Sequence, residues 1–325
     1  MTGQKLLYLS RAQVESVGPS MPEVIDAVEA AFREKGHGRV EMPPKPGVHP
    51  GLHSFAHAMP AYLPALRSVG IKWIGGNPDN PKRGVPFIGG LVILNDPDTV
   101  APIAVMDCTW ITAQRTGAAT AVAAKYLARP DSASVGVLGA GVQGWSNLEG
   151  LKALLPLERV AVYDVAADKA ESYAARVRLC WPKLSVVTVG SPREAVEGMD
   201  IVVTAGPLAR PPHATIKAGW LARGAFASAV DYDSYWDRAA LLQADKFTTD
   251  DTAQLIDHQR MGYFLDIPPI HADLGQIVAG LRRGRERAAE RIIACNLGLA
   301  IADVAVASLV YRRAVERQIG TWLPL

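Results

Sequence analysis

The stretch "SVGVLGAGVQG" (residues 134–144) decides the fold. Its first half is an unbroken apolar run, suited to a strand buried on both faces, and it stops at Gly139. There Gly139-Ala140-Gly141-Val142-Gln143-Gly144 begins, and a helix is predicted from about Val142 to Leu155. In such a unit the first glycine permits the tight turn and the second lets backbone approach a pyrophosphate. The third lets helix and strand pack closely. Free N–H groups at the helix start then meet the phosphate charge. The next strand, "RVAVYD" (159–164), ends in Asp164, about twenty residues further on. A carboxylate there accepts from ribose hydroxyls and repels a 2′-phosphate, which points to NAD(H) over NADP(H). The plainer readings are a glycine turn in a nucleotide-free domain and Asp164 as a helix cap.

Beyond this unit a helix is expected over about 167–179. "KLSVVTV" (183–189), "DIVVTA" (200–205), "AFASAVD" (225–231) and "KFTTD" (246–250) complete the expected strands. Ser191-Pro192-Arg193-Glu194 reads as a capping box with proline in the first turn. Apolar strands alternating with helices imply a parallel, doubly wound sheet.

Upstream the grammar differs. Residues 21–35 have helical periodicity, and Gly36 to Gly51 reads as an irregular, Pro/Gly-rich stretch. "SVGIKWIGG" (68–76), "FIGGLVILND" (87–96) and "APIAVMD" (101–107) follow without intervening helices. That order predicts a mostly antiparallel sheet or partial barrel with flanking helices. An Ala-rich connecting helix is expected over 112–127. The last helix, within "NLGLAIADVAVASLVYRRAVERQ" (296–318), is expected to return to this first domain. The expectation is thus α/β: residues 1–115, completed by 300–325, form a mixed α+β substrate and dimerisation domain, and 116–299 form a Rossmann domain.

Composition narrows the function. Apolar residues make up 49% and charged residues 20%, typical of a packed globule, and the formal net charge is +2. The basic runs "LRRGRER" and "YRRAVER" read as solvated helix faces, so no nucleic-acid partner is expected. Asp303 interrupts the longest apolar run, leaving no membrane span, and the N-terminus lacks a signal-peptide pattern. Three scattered cysteines suit a reducing, cytoplasmic compartment rather than a disulfide framework. His49, His53 and His57 are spaced for one helix face, but Pro50 and Gly51 break such a helix. They read as a loop lining the substrate cleft, not a metal site. No Gly-x-Ser-x-Gly elbow supports hydrolase chemistry.

Lys72 stands out inside "SVGIKWIGG", because a buried ammonium must be paired or shed its proton. An edge-strand lysine reaching water is the bland reading.

"AVMDCTWITAQRTGAATAVAAKYL" (104–127) runs into "VGVLGAGVQGWSNLE" (135–149), with "MPAYL" and "GIKW" upstream. Together with "ADLGQIVAG" (272–280) and "LGLAIADVAVASLVY" (297–311), these segments resemble the ornithine cyclodeaminase/μ-crystallin family over nearly the whole chain. The resemblance implies a homodimer with a Rossmann domain. It also implies hydride transfer between nicotinamide and the α-carbon of an amino or imino acid. By position it makes Lys72 the active-site lysine, Arg115 the carboxylate-binding arginine, and Asp233 the acid beside the reacting amine. Arg115 is expected in the first turn of the connecting helix, where an anion is favoured. Asp233 is equally at home in a turn. The glycine-loop residues Gly139 to Gly144, Asp164 and Thr116 are assigned to the cofactor, and His53 to the substrate. Where the family has a second arginine this chain offers Lys45, a charge without the planar fork. Asp231-Tyr232 replaces the small residues that precede the acid in cyclodeaminases. The first expectation is an imino-acid reductase or amino-acid dehydrogenase. A cyclodeaminase with catalytic NAD is the alternative, and a non-catalytic NAD or ligand binder of μ-crystallin type the alternative of another class.

Overall fold

The computed structural model describes residues 4–51, 54–209 and 211–325. In chain order it begins with β1 (Lys5–Leu9), α1 (Arg11–Val17), α2 (Met21–Gly36), β2 (Gly47–Gly51) and β3 (Ser54–Leu63). β4 (Ser68–Gly76), β5 (Ile88–Asn95), β6 (Pro102–Asp107) and α3 (Thr109–Leu127) follow. Next come β7 (Ser134–Leu138), α4 (Val142–Leu154), β8 (Arg159–Tyr163), α5 (Ala167–Cys180), β9 (Ser185–Thr188), α6 (Pro192–Val196) and β10 (Ile201–Thr204). β11 (Phe226–Ala229), α7 (Arg238–Leu241), β12 (Lys246–Thr249), α8 (Thr252–Arg260), β13 (Ile270–Asp273), α9 (Leu274–Val278) and β14 (Ile292–Cys295) come after them. The chain ends with α10 (Ala300–Glu316) and β15 (Thr321–Pro324). It divides into two compact units, one of residues up to Arg115 plus Leu299–Leu325, the other Thr116–Gly298.

The first unit holds a seven-stranded sheet, ordered β15-β1-β6-β5-β4-β3-β2. Its pairings are antiparallel except β1 with β6. β2 lies in the stretch expected to be irregular. Its five residues are all exposed, so no apolar alternation announces it, and pairing to β3 alone makes it a strand. His49 and His57 therefore sit on paired strands rather than in a loop. α10 packs against α2 and across β3, β4 and β5, burying Ile301, Val304, Val306 and Val310. Along β4 the buried positions alternate through Gly70, Lys72 and Ile74, so Lys72 shares the core face while Trp73 points outward.

The second unit is an eight-stranded, wholly parallel sheet, ordered β13-β12-β14-β11-β10-β7-β8-β9. Strand order reverses between β7 and β10, and in open α/β sheets ligands bind beyond the strand ends at such a switch point. β13 and β14 extend the strand series beyond the one expected. Each has only four residues, too few to show a period, and β14 is inserted between β11 and β12. Only half of the expected capping box forms at α6. Ser191 accepts from Glu194 N at 3.4 Å, but Glu194 receives the serine hydroxyl rather than its backbone N–H.

Among the described residues no helix is long and apolar enough to cross a membrane, and no cluster of His, Cys, Asp and Glu could hold a metal ion. Cys108, Cys180 and Cys295 are free thiols.

Candidate active site

Lys72 lies on β4, between β3 and β5, and is 0% exposed, which rules out the edge-strand reading. Its Nζ is 2.6 Å from Asp303 Oδ1, and Arg115 Nε donates to the same oxygen at 2.9 Å. The Lys72 contact is a charge contact outside the angles of a directed hydrogen bond. The ammonium donors and Asp303 Oδ2 thus lack hydrogen-bond partners among the described residues. Burial, aided by the nearby Arg115 charge, lowers the Lys72 pKa to about 8 against the opposing pull of Asp303. A lysine that titrates near neutrality can both take and give a proton.

Arg115 is buried with a single protein partner, so both terminal guanidinium nitrogens have none among the described residues. They form the planar end of the fork that grips a carboxylate bidentately. The helix does not supply the anion-binding element expected here. α3 starts at Thr109, and Asp107 accepts from Thr109 N at 2.8 Å, so Arg115 lies in the second turn. In the sequence Asp303 shows itself only as an interruption of an apolar run. That interruption was the signal, since an acid in a buried helix needs a cationic partner.

In the second unit the three loop glycines have distinct constraints. Gly139 has φ +105°, and a Cβ there would meet Ala205 O at 2.6 Å. A Cβ on Gly144 would lie 2.1 Å from Gly139 O. Gly141 is different, since no protein atom lies within 4 Å of its would-be Cβ. It caps α4 at φ −89° with no side chain on the helix N–H groups. The protein leaves open the approach that a pyrophosphate needs. Asp164 Oδ2 accepts from Ala140 N at 2.9 Å and Oδ1 from Ala166 N at 3.0 Å, so it braces the glycine loop and closes the turn before α5, whose N-cap residue Ala166 offers no side-chain cap. These two bonds and a ribose role are compatible, because a carboxylate has about four acceptor sites. A cavity of about 350 Å³ beside it is lined by Tyr163, Asp164, Val165 and Glu171, among others, with two carboxylates and no basic side chain. These features fit a dinucleotide.

Beyond β11, Asp231 is buried, accepting from Thr204 Oγ1 at 2.6 Å and Gly206 N at 2.9 Å. Desolvation lifts its pKa to about 7. Asp233 lies in the following turn. Its Oδ2 accepts from Phe264 N at 2.8 Å, and its buried Oδ1 has no partner among the described residues. Burial raises its pKa, partly offset by the Phe264 N–H. The flanking Tyr232 and Phe264 both have left-handed backbone, φ 64° and 54°, and their rings lie 5.2 Å apart. Two bulky residues in that region store strain, of a kind found where a functional group must be held in place. His258 Nδ1 lies 2.7 Å from Gln254 O and its Nε2 3.2 Å from Tyr232 OH. The Gln254 carbonyl can only accept, which assigns a proton to Nδ1.

Of the other candidates, Lys45 is half-buried just before β2. Continuing the Gly47–His57 register sets it beside Met59, whose partner on β4 is Lys72. Thr116 lies half-buried on α3, one residue beyond Arg115. His53 lies outside the described residues.

The ornithine cyclodeaminase/mu-crystallin family model matches residues 5–318. An alanine dehydrogenase of Archaeoglobus fulgidus is 36% identical over 323 residues, covering 97% of this chain and 97% of its own. The Thermococcus litoralis Δ(1)-pyrroline-2-carboxylate reductase, solved in complex with NADH and L-proline, superposes with TM-score 0.88 at 36% identity. The match covers 97% of this chain and 99% of that one. An archaeal alanine dehydrogenase dimer with bound NAD gives TM-score 0.89 at 34% identity, covering 99% and 100%.

Proposed function

The chain belongs to the ornithine cyclodeaminase/mu-crystallin family, and we propose that it is an NAD(H)-dependent oxidoreductase acting at the α-carbon of an amino or imino acid. The observation that carries this reading is the buried Lys72–Asp303–Arg115 cluster, a proton carrier held on the same carboxylate oxygen as an arginine fork. Arg115 binds the substrate carboxylate and Lys72 handles the proton, with Lys45 as a further cation for the substrate. Asp233 is assigned to the amine or iminium, whose positive charge its Oδ1, without a partner among the described residues, would stabilise. Gly139 to Gly144, Asp164 and Thr116 hold the dinucleotide, which when bound supplies or accepts the hydride.

In the reductive direction protonated Lys72 gives its proton to the imine nitrogen, the α-carbon gains a hydride, and neutral lysine and amine result. In the oxidative direction neutral Lys72 takes a proton from the substrate ammonium, so that the α-carbon can lose its hydride and become an iminium. An amine that kept its proton could not release hydride, which is why a lysine near pKa 8 suits the task.

NAD(H) is the preferred cofactor, since the cavity at Asp164 presents Asp164 and Glu171 to any 2′-phosphate. A homodimer is supported by the apolar outer face of the first unit, where exposed Trp73 and Leu91 are cross-strand partners. The free thiols suit a cytoplasmic setting.

The test is nicotinamide absorbance with NADH plus Δ(1)-pyrroline-2-carboxylate, or pyruvate with ammonia, and with NAD plus a panel of L-amino acids. Turnover in either direction supports the proposal. Ammonia release from L-ornithine with no net absorbance change would reassign the chain as a cyclodeaminase, and cofactor binding without turnover as a binder.

A further inference from the structure

α10 is apolar through its buried length apart from Asp303, which is wholly buried. An acid held out of water needs compensation from cations and hydrogen bonds. Here both cations reach one oxygen, Lys72 from β4 and Arg115 from α3, while the other oxygen has no hydrogen-bond partner among the described residues. Among the described residues Arg115 is engaged only through Nε, which restrains the guanidinium and leaves its terminal pair for a ligand.

We propose that Asp303 is the positioning residue of this site. One of its oxygens holds Lys72 and Arg115 together, so that the proton carrier and the carboxylate fork are set as a unit. The inference rests on the reading that Arg115 binds the substrate carboxylate and Lys72 manages its proton. Two cations and one anion leave the cluster at +1, matched by a single substrate carboxylate. The groups acting on Lys72 are Asp303, Arg115 and Cys108, and burial keeps the Cys108 thiol protonated by raising its pKa.

Charge and positioning make opposite predictions for Asp303→Asn. Below the lowered Lys72 pKa the cluster would rise to +2, and there charge alone would draw a carboxylate in more tightly. Loss of positioning would release Arg115 and weaken binding. The expected result is a KM for Δ(1)-pyrroline-2-carboxylate raised tenfold or more. NMR titration of the Lys72 Cε resonance, assigned by its loss in Lys72→Met, is expected to move down by roughly one to three pH units. The alkaline limb of imine reduction should move down with it. The titration and the limb read the charge coupling of Asp303 to Lys72, and KM with the charge retained reads its positioning of Arg115.

Asp303→Glu keeps the charge but moves the oxygen by a methylene. It should restore the Lys72 titration while leaving KM high, and it tests positioning should the asparagine variant fail to fold. A wild-type KM in both variants, or an unmoved Lys72 titration in Asp303→Asn, overturns the proposal. The titration needs no turnover, so it reads Asp303 even if the chain reduces no imino acid. Absent turnover with a shifted titration would therefore sink the functional reading and not the coupling of Asp303 to Lys72.

Discussion

Two alanine substitutions in one loop should have opposite consequences. At Gly144 a Cβ would stand 2.1 Å from Gly139 O, a backbone atom that cannot step aside without moving the turn. Overpacking of this kind costs about 1–3 kcal/mol. For a domain of this size that lowers Tm by roughly 2–12 °C. At Gly141 the new methyl meets no protein atom within 4 Å. The backbone there, φ −89° and ψ −166°, is open to any L residue. Gly→Ala at such a position stabilises by about 0.4–1 kcal/mol through the unfolded chain, so Tm should hold or rise slightly. If the open space is where the pyrophosphate approaches, Gly141→Ala instead weakens NADH binding tenfold or more, at least about 1.4 kcal/mol. Differential scanning fluorimetry reads the first quantity and NADH fluorescence the second. Gly141→Ala binding NADH as tightly as the native chain would refute the loop assignment, and Gly144→Ala melting at the native temperature would refute the packing argument.

Lys72→Met should abolish turnover by about a hundredfold or more while leaving NADH affinity within twofold; parallel loss of both would mean a structural lysine. In the native chain kcat/KM for amino-acid oxidation should rise with pH through about 8, and imine reduction should fall across the same range, because the two directions need neutral and protonated Lys72. Asp231, with its pKa lifted to about 7, binds more protons folded than unfolded between its ordinary value and 7. Its contribution to stability therefore falls as pH rises through that window, and Asp231→Asn should flatten that part of the Tm–pH profile; superimposable profiles would argue against it. Asp164→Ser should narrow the preference for NADH over NADPH at least tenfold, and an unchanged ratio in a folded variant would leave discrimination to other residues.

Most of the second unit could be read from the sequence because its determinants are local. Apolar runs that stop at glycine, helices of ordinary period and a carboxylate at a strand end act over a few residues each, and β7, α4, β8 and α5 formed where they were expected. The short strands could not be read this way. β2, β13 and β14 are strands because a neighbour accepts and donates their hydrogen bonds, a fact absent from five or four residues taken alone.

The same division runs through the site. Lys72 was conspicuous in the sequence because a charge inside an apolar strand raises a physical question by itself. The answer was not there. That Lys72 faces the core depends on β4 lying between β3 and β5 beneath α10. Asp303 meets Arg115 across 188 positions of sequence, and only folding brings together the charges that desolvation then forces into contact. Local chain order is enough to specify the dinucleotide unit and the residue types able to do the chemistry. Tertiary structure alone decided which acid pairs with which cations, because a buried charge takes its properties from neighbours that the chain order does not name.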